Sequence, residues 1–167
     1  MKPDGGSNGK PQPAPQSAGR RFAIVAARFY RELTDWLIDG AQRALADCGV
    51  SRDNIEVVEV PGCFEIPLAC RKLIEADRYD GIVALGVVIR GDTPHFDFVA
   101  GECARGIMDV QLATAVPIGF GVLTTENLAQ AQERADPARG DKGYEAAIAA
   151  ATLANIPNKL PRAGFRS

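Results

Sequence analysis

Several features that mark whole classes of protein are missing from this sequence. The longest unbroken apolar run, Gly81–Ile89, is about half as long as the ~20 residues that a helix needs to cross a bilayer. Residues 1 to 20 contain no apolar segment of the kind found in signal peptides. Lysine and arginine number 19 against 21 aspartate and glutamate, so the basic excess of a nucleic-acid-binding module is also missing. We therefore expect a cytoplasmic protein with no nucleic acid and no membrane among its partners.

Histidine and paired cysteines are scarce as well. His95 is the only histidine, and Cys48, Cys63, Cys70 and Cys103 form no CxxC pair. A zinc site and a disulfide framework are both disfavoured by this pattern. We expect the thiols to be reduced and to serve as packing residues, and we predict no metal.

The chain length of 167 residues predicts a single domain, and the composition predicts a tail at each end. Residues 1–20 are rich in proline and glycine, contain no valine, isoleucine, leucine or aromatic residue, and are predicted to be a disordered tail. Residues 157–167 carry two prolines after a helical pattern and are predicted to be a C-terminal tail. The domain is then expected over residues 21–156.

Within the domain, buried strands alternate with amphipathic helices. Apolar runs predict strands at 21–29, 55–60, 81–89 and 117–123, and spacing by three and four predicts helices at 33–48, 66–73, 99–110 and 144–155. A short helix is expected to start at Thr125 as its N-cap. This order predicts an α/β protein, a single-domain three-layer α/β/α sandwich on a four-stranded parallel, flavodoxin-like sheet, with ligands at the carboxyl ends of the strands.

The turns after these strands carry aromatic side chains. Phe29 follows the first strand and Phe64 follows the second. Parallel strands end at one edge of a sheet, so the two rings are expected on one rim, where a planar ligand can stack. The alternative is that both rings belong to the core.

The turn after the third strand combines an anion-binding pattern with the histidine. Gly91, Asp92 and Thr93 precede a helix, whose N-terminal amides can bind a phosphate, although a simple turn with a threonine cap is the alternative. His95 follows and is either a general acid/base or a structural residue. The turn lacks the glycine patterns of triphosphate and dinucleotide sites.

Three further side chains have open roles. Arg134 and Lys142 either meet an anionic substrate or belong to a solvated face. Cys63 lies at a strand-to-helix turn, as a hydrolase nucleophile does, with His95 and Glu65 as triad partners. Phe64 stands where a second glycine is needed in such an elbow, which disfavours the nucleophile.

Five motifs at these turns resemble the lumazine synthase family over residues 21–156. They are ARF at 27–29, VPGCFEIP at 60–67, ALGVVIRGDTPHFD at 84–97, GVLTTEN at 121–127 and DKGYEAA at 141–147. The resemblance implies condensation of 5-amino-6-(D-ribitylamino)uracil with 3,4-dihydroxy-2-butanone 4-phosphate to 6,7-dimethyl-8-ribityllumazine, with release of phosphate and water. It also implies that the enzyme needs no cofactor.

The resemblance also implies roles for individual residues. His95 would be the proton shuttle, and Phe29 would stack on the pyrimidine. The other substrate-binding residues would be Cys63, Phe64, Glu65, Val87, Val88, Ile89, Gly91, Asp92, Thr93, Phe120, Arg134 and Lys142. Of these, Phe120, Arg134 and Lys142 would come from the neighbouring subunit of a homo-oligomer, either a pentamer or a capsid of twelve pentamers.

Two residues depart from the family pattern. Tyr30 stands where many members have asparagine, and Cys63 replaces the more usual alanine or serine. Both departures bear on the contacts to the ribityl chain. A non-catalytic lumazine- or flavin-binding shell or storage protein of the same fold is the alternative function, and the intact site residues argue against it.

Overall fold

A computed structural model describes residues 11–13 and 16–158. Its strands are β1 (Phe22–Ala27), β2 (Ile55–Val60), β3 (Gly81–Ile89) and β4 (Ile118–Thr125). Its α-helices are α1 (Arg31–Asp47), α2 (Ile66–Glu75), α3 (His95–Thr114), α4 (Leu128–Ala135) and α5 (Lys142–Ala154). The order of strands and helices predicted from the sequence is confirmed, with two short 3-10 turns added at Arg52–Asn54 and Cys63–Glu65.

The four strands form one parallel sheet in the order β2-β1-β3-β4. One face packs on α1, α4 and α5 through a core that includes Ile24, Leu37 and Ile148. The other face packs on α2 and α3 through a core that includes Val25, Ile66 and Ile107. β1 and most of β3 are covered on both faces, whereas β2 lies at an edge and is largely exposed. The predicted three-layer α/β/α sandwich is therefore confirmed.

The predicted N-cap of the short fourth helix, Thr125, is wrong by two residues. Thr125 is still in β4, where it is paired with Ile89, and the helix begins at Leu128. Asn127 is the N-cap, because its side-chain oxygen accepts a hydrogen bond from the Gln130 N–H at 2.9 Å. The sequence pattern favoured Thr125 as the N-cap, but Thr125 is paired with Ile89 in the sheet and is therefore not at the start of the helix.

The domain contacts part of the segment that precedes it. Ser17 is fully buried, and its N–H donates to the Cys48 carbonyl oxygen at 3.1 Å. Arg20 donates from Nε to Asn155 Oδ1 at 3.1 Å, at the end of α5. Residues 1–10, 14–15 and 159–167, to which most of the two predicted tails belong, lie outside the described residues.

Two glycines let α5 approach its neighbours backbone to backbone. A Cβ on Gly119 of β4 would collide with the Ala146 carbonyl oxygen, and a Cβ on Gly143 of α5 would collide with the Leu37 carbonyl oxygen of α1. We call this pair of contacts the glycine seam. The glycine seam fixes the position of α5 relative to the sheet. It therefore also fixes the position of Lys142, which lies in the first turn of α5.

Candidate active site

A cavity of about 570 Å³ opens at the carboxyl ends of β1, β2 and β3. This is where a parallel α/β sheet is expected to bind ligands. It is lined by Phe29, Tyr30, Gly62, Cys63, Phe64, Glu65, Val87, Val88, Ile89, Gly91, Thr93, His95, Phe96, Phe98 and Val99. Most of the residues predicted for the site within one chain are thus brought together.

Aromatic rings form the rim of this cavity. Phe29 is 76% exposed and Phe64 is 60% exposed, so the alternative that they are core aromatics is wrong for the isolated chain. Phe29 and Tyr30 form a T-shaped pair, with ring centroids 5.0 Å apart and planes at 71°. An exposed ring beside a cavity offers one face to a planar ligand.

The turn after β3 places backbone amides and the histidine at the cavity wall. His95 is the first residue of α3, and its N–H lies 3.4 Å from Thr93 Oγ1. Arg90 fastens this turn: it donates to Glu126 Oε2 at 2.9 Å and lies 4.3 Å from the centre of the Phe96 ring. The cavity wall around His95 is therefore joined to the loop that follows β4.

Cys63 lines the cavity but does not resemble a nucleophile. It is buried, and burial is the largest cause that raises the pKa of its thiol to about 12. The same cause raises the pKa values of Cys70 and Cys103 to about 12. Cys63 is therefore a neutral thiol at physiological pH, and the carboxylate of Glu65 is already engaged, accepting the Gly62 N–H at 2.9 Å. Both observations weigh against the triad reading.

The remaining predicted residues lie outside this cavity: Asp92, Phe120, Arg134 and Lys142. Phe120 is exposed on the edge strand β4, and Arg134 is exposed in the last turn of α4. Lys142 donates to Glu145 Oε2 at 2.7 Å. Within one chain, Arg134 does not line the cavity that Gly91 and Thr93 line.

Lys142 follows a rigidly held aspartate. Asp141 is buried and accepts two hydrogen bonds from Arg43 of α1, at 2.8 and 3.2 Å. Its backbone is left-handed, with φ of 50°, which makes the sharp entry into α5. The bidentate pairing with Asp141 is the largest cause that raises the pKa of Arg43 above its usual value.

Five lining residues were not among the predicted site residues: Tyr30, Gly62, Phe96, Phe98 and Val99. Three of them lie in the first turns of α3, which begins at His95 rather than near residue 99. The apolar spacing that predicted the helix identifies only the side chains that face the core. The first-turn side chains face the cavity instead, and the run His95-Phe96-Asp97-Phe98 was the signal available in the sequence.

Two kinds of feature are missing from the part of the chain that the structure describes. No group of three or more His, Cys, Asp or Glu side chains is arranged there to hold a metal ion. No helix among them has the length and apolarity that a membrane span needs.

Comparison with known proteins gives a consistent result. Residues 19–158 match the family model described as 6,7-dimethyl-8-ribityllumazine synthase. The chain is similar to the 6,7-dimethyl-8-ribityllumazine synthase of Nitratidesulfovibrio vulgaris strain Miyazaki F, with 47% identity over 142 residues, 85% of this chain and 91% of the relative. It is also similar to that of Gemmatimonas aurantiaca, with 49% identity over 142 residues, 85% of this chain and 87% of the relative.

Proposed function

Since the chain belongs to the 6,7-dimethyl-8-ribityllumazine synthase family, we propose that the cavity at the strand ends is its pyrimidine site. The chain is a transferase of riboflavin biosynthesis, which condenses 5-amino-6-(D-ribitylamino)uracil with 3,4-dihydroxy-2-butanone 4-phosphate and releases phosphate and water. What we propose is the division of this work among residues.

The pyrimidine stacks on Phe29 and is read along its edge by the backbone of Val87, Val88 and Ile89. Support comes from the exposure of the Phe29 ring and from the position of these β3 residues in the same cavity wall. The ribityl chain then runs toward Cys63, Phe64 and Glu65. Tyr30 lies beside Phe29 and adds a further ring to that side.

His95 moves protons during the condensation. The amine of the pyrimidine adds to the butanone carbonyl and loses water to give an imine, phosphate is eliminated, and ring closure with loss of a second water gives the lumazine. Each stage needs a proton acceptor or donor, and His95 is exposed at the cavity wall. Holding the two substrates side by side accounts for further acceleration.

The phosphate site requires a neighbouring subunit. This proposal depends on one observation: among the described residues that line the cavity, none is lysine or arginine, although a substrate carries a phosphate. Arg134 is exposed and has no ion pair with any other described residue. In a homo-oligomer, Arg134, Lys142 and Phe120 of one subunit complete the cavity of the next, where Gly91, Asp92 and Thr93 supply amides.

Complementation tests this shared site. His95→Asn and Arg134→Ala chains are unfolded together in equal amounts and reassembled, alongside each variant reassembled alone. If the two residues come from different subunits, about a quarter of the sites, one half times one half, pair an intact His95 with an intact Arg134. Activity then rises well above that of either parent.

Native mass spectrometry establishes that the reassembled oligomers contain both chains. Parental activity in oligomers shown to be mixed contradicts the shared site. Reassembly of each variant with wild-type chains is the matched control, because it shows that each variant chain enters an active oligomer.

We further propose that the enzyme works in the cytoplasm. Cys63, Cys70 and Cys103 are buried thiols that form no disulfide, which fits a reducing compartment. Fractionation of the source cells, with the lumazine product assayed in each fraction, tests this location.

A further inference from the structure

The Phe29 ring receives little support from burial. It is 76% exposed, and the one aromatic ring in contact with it among the described residues is that of Tyr30. The position of the ring therefore depends on the backbone of the turn that joins β1 to α1. Whatever fixes this turn also fixes the surface on which the pyrimidine stacks.

The far side of the turn is anchored by Thr34 of α1. This side chain is fully buried, and its hydroxyl lies 2.8 Å from the Ala27 carbonyl oxygen and 2.9 Å from the Tyr30 carbonyl oxygen. The Thr34 N–H also donates to the Tyr30 carbonyl oxygen, at 3.0 Å. These contacts hold the residues that bracket Phe29 but do not join the turn to the neighbouring strand.

Arg28 makes that connection. Its N–H donates to the Val60 carbonyl oxygen of β2 at 2.9 Å. Its side chain is only 12% exposed and lies between Asp35 of α1, with Nη1 to Oδ1 at 2.8 Å, and Glu59 of β2, with Nε to Oε1 at 3.4 Å. Neither contact has the alignment of a hydrogen bond, so the two carboxylates hold the buried guanidinium through charge.

Stability alone does not explain such an arginine. The net stabilisation from these ion pairs is small, because desolvation of the buried guanidinium offsets most of its attraction to two exposed carboxylates. Buried guanidinium nitrogens without aligned hydrogen bonds increase that cost. What the arrangement does achieve is to fasten α1, β2 and the turn at one point, next to the stacking residue.

We propose that Arg28 is a positioning residue for the pyrimidine, acting through Phe29. This inference rests on the proposed stacking role of Phe29. In the absence of the guanidinium, the carboxylates of Asp35 and Glu59 are left as like charges on either side of the turn. Their repulsion separates α1 from β2 there, and Phe29 loses its fixed orientation.

A double-mutant cycle on Arg28→Met and Phe29→Ala tests the inference. The measured quantity is the dissociation constant of 5-amino-6-(D-ribitylamino)uracil by calorimetry, together with the KM of the butanone phosphate. We expect Arg28→Met to weaken pyrimidine binding by about threefold or more, and to leave the KM of the second substrate within about twofold. In the Phe29→Ala background, the same replacement has no further effect on pyrimidine binding.

Two other variants sharpen the result. Arg28→Lys keeps the charge but has one ammonium in place of the planar guanidinium, so it restores pyrimidine binding only in part. Arg71→Met, which removes an arginine paired with Glu75 at 2.7 Å on α2, is the matched control and leaves both substrates unaffected. If Arg28→Met does not fold, Asp35→Asn and Glu59→Gln replace it, because both carboxylates are more than half exposed.

The outcomes separate the inference from the function on which it rests. If Phe29→Ala binds the pyrimidine like the wild type, the stacking role itself is wrong. If Phe29→Ala weakens binding but Arg28→Met does not, only the positioning role is wrong. Equal losses for Arg28→Met in both backgrounds, or parallel losses for both substrates, also overturn the positioning role.

Discussion

Gly86 of β3 lies against Cys63, so that a Cβ on Gly86 would come within 2.5 Å of Cys63 Sγ and 3.1 Å of the Ala27 Cβ. We predict that Gly86→Ala lowers the free energy of unfolding by about 1 to 3 kcal/mol through this overpacking. The Gly86→Ala/Cys63→Ala double variant removes the sulfur and should recover part of the loss. Chemical denaturation of the single and double variants measures this, and a double variant that is less stable than Gly86→Ala would contradict the contact.

The Cys63 thiol is expected to be a poor nucleophile. Because burial raises its pKa to about 12, the thiolate is scarce at neutral pH. We predict that Cys63→Ser keeps substantial activity and that iodoacetamide labels native Cys63 slowly at pH 7. Circular dichroism shows whether the variant is folded. Abolished turnover in a folded Cys63→Ser protein would restore the nucleophile hypothesis.

The buried thiols together predict a loss of stability at alkaline pH. Cys63, Cys70 and Cys103 have pKa values raised to about 12 by burial, against an ordinary value of 9.0. Above pH 9 the unfolded chain releases these protons while the folded chain keeps them. The stabilisation is therefore complete below pH 9 and decreases as the pH rises toward 12.

Urea denaturation at pH 8, 10 and 11 measures that decrease. Each thiol that titrates only in the unfolded chain contributes up to about 1.4 kcal/mol per pH unit. Cys70→Ala should therefore show a shallower decline than the wild type. Identical pH dependence in the two proteins is the result that would rule this explanation out.

Replacement of His95 should affect turnover more than affinity. We predict that His95→Asn lowers kcat by about 100-fold, because the imidazole acts on protons that move in the transition states. The KM of each substrate should change little. Steady-state kinetics of the folded variant checks both numbers, and an unchanged kcat means that His95 has no role in proton transfer.

Arg134→Ala should discriminate between the two substrates. Its guanidinium is proposed to pair with the phosphate, so the KM of the butanone phosphate rises at least about tenfold while pyrimidine binding is preserved. Arg139→Ala is the matched control, because Arg139 lies in the next loop and already pairs with Asp136 at 3.1 Å. Equal losses for both substrates in Arg134→Ala count against the phosphate assignment.

The sheet was predictable because its strands are nearly continuous apolar runs. β2 and β3 have the bounds that the sequence predicted. β1 is shorter than predicted, since Arg28 and Phe29 belong to the turn, and β4 extends two residues further, to Thr125. The last two residues of β4, Thr124 and Thr125, are polar, so a search for apolar runs does not detect them as part of the strand.

The site was predictable in part because the carboxyl ends of parallel strands must meet at one edge. This rule places Phe29, Phe64 and His95 around one cavity, as found. The same rule points to residues 121–125 at the end of β4, and none of those lines the cavity. Spacing along one chain also carries no information about what a neighbouring copy contributes, so Arg134 and Lys142 stay predictions.

The two cations proposed for the phosphate differ in how much entropy their ordering costs. The glycine seam holds α5 against β4 and α1, so the backbone of Lys142 is already fixed, and its ammonium is held by Glu145 before any ligand arrives. Arg134 is exposed at the end of a short helix and forms no ion pair with another described residue, so its side chain has more rotational freedom to lose. Immobilising a side chain of this kind costs about 0.5 to 1.5 kcal/mol. Of the two proposed phosphate ligands, Lys142 is therefore the preorganised one, and Arg134 is the one expected to become ordered when the phosphate binds.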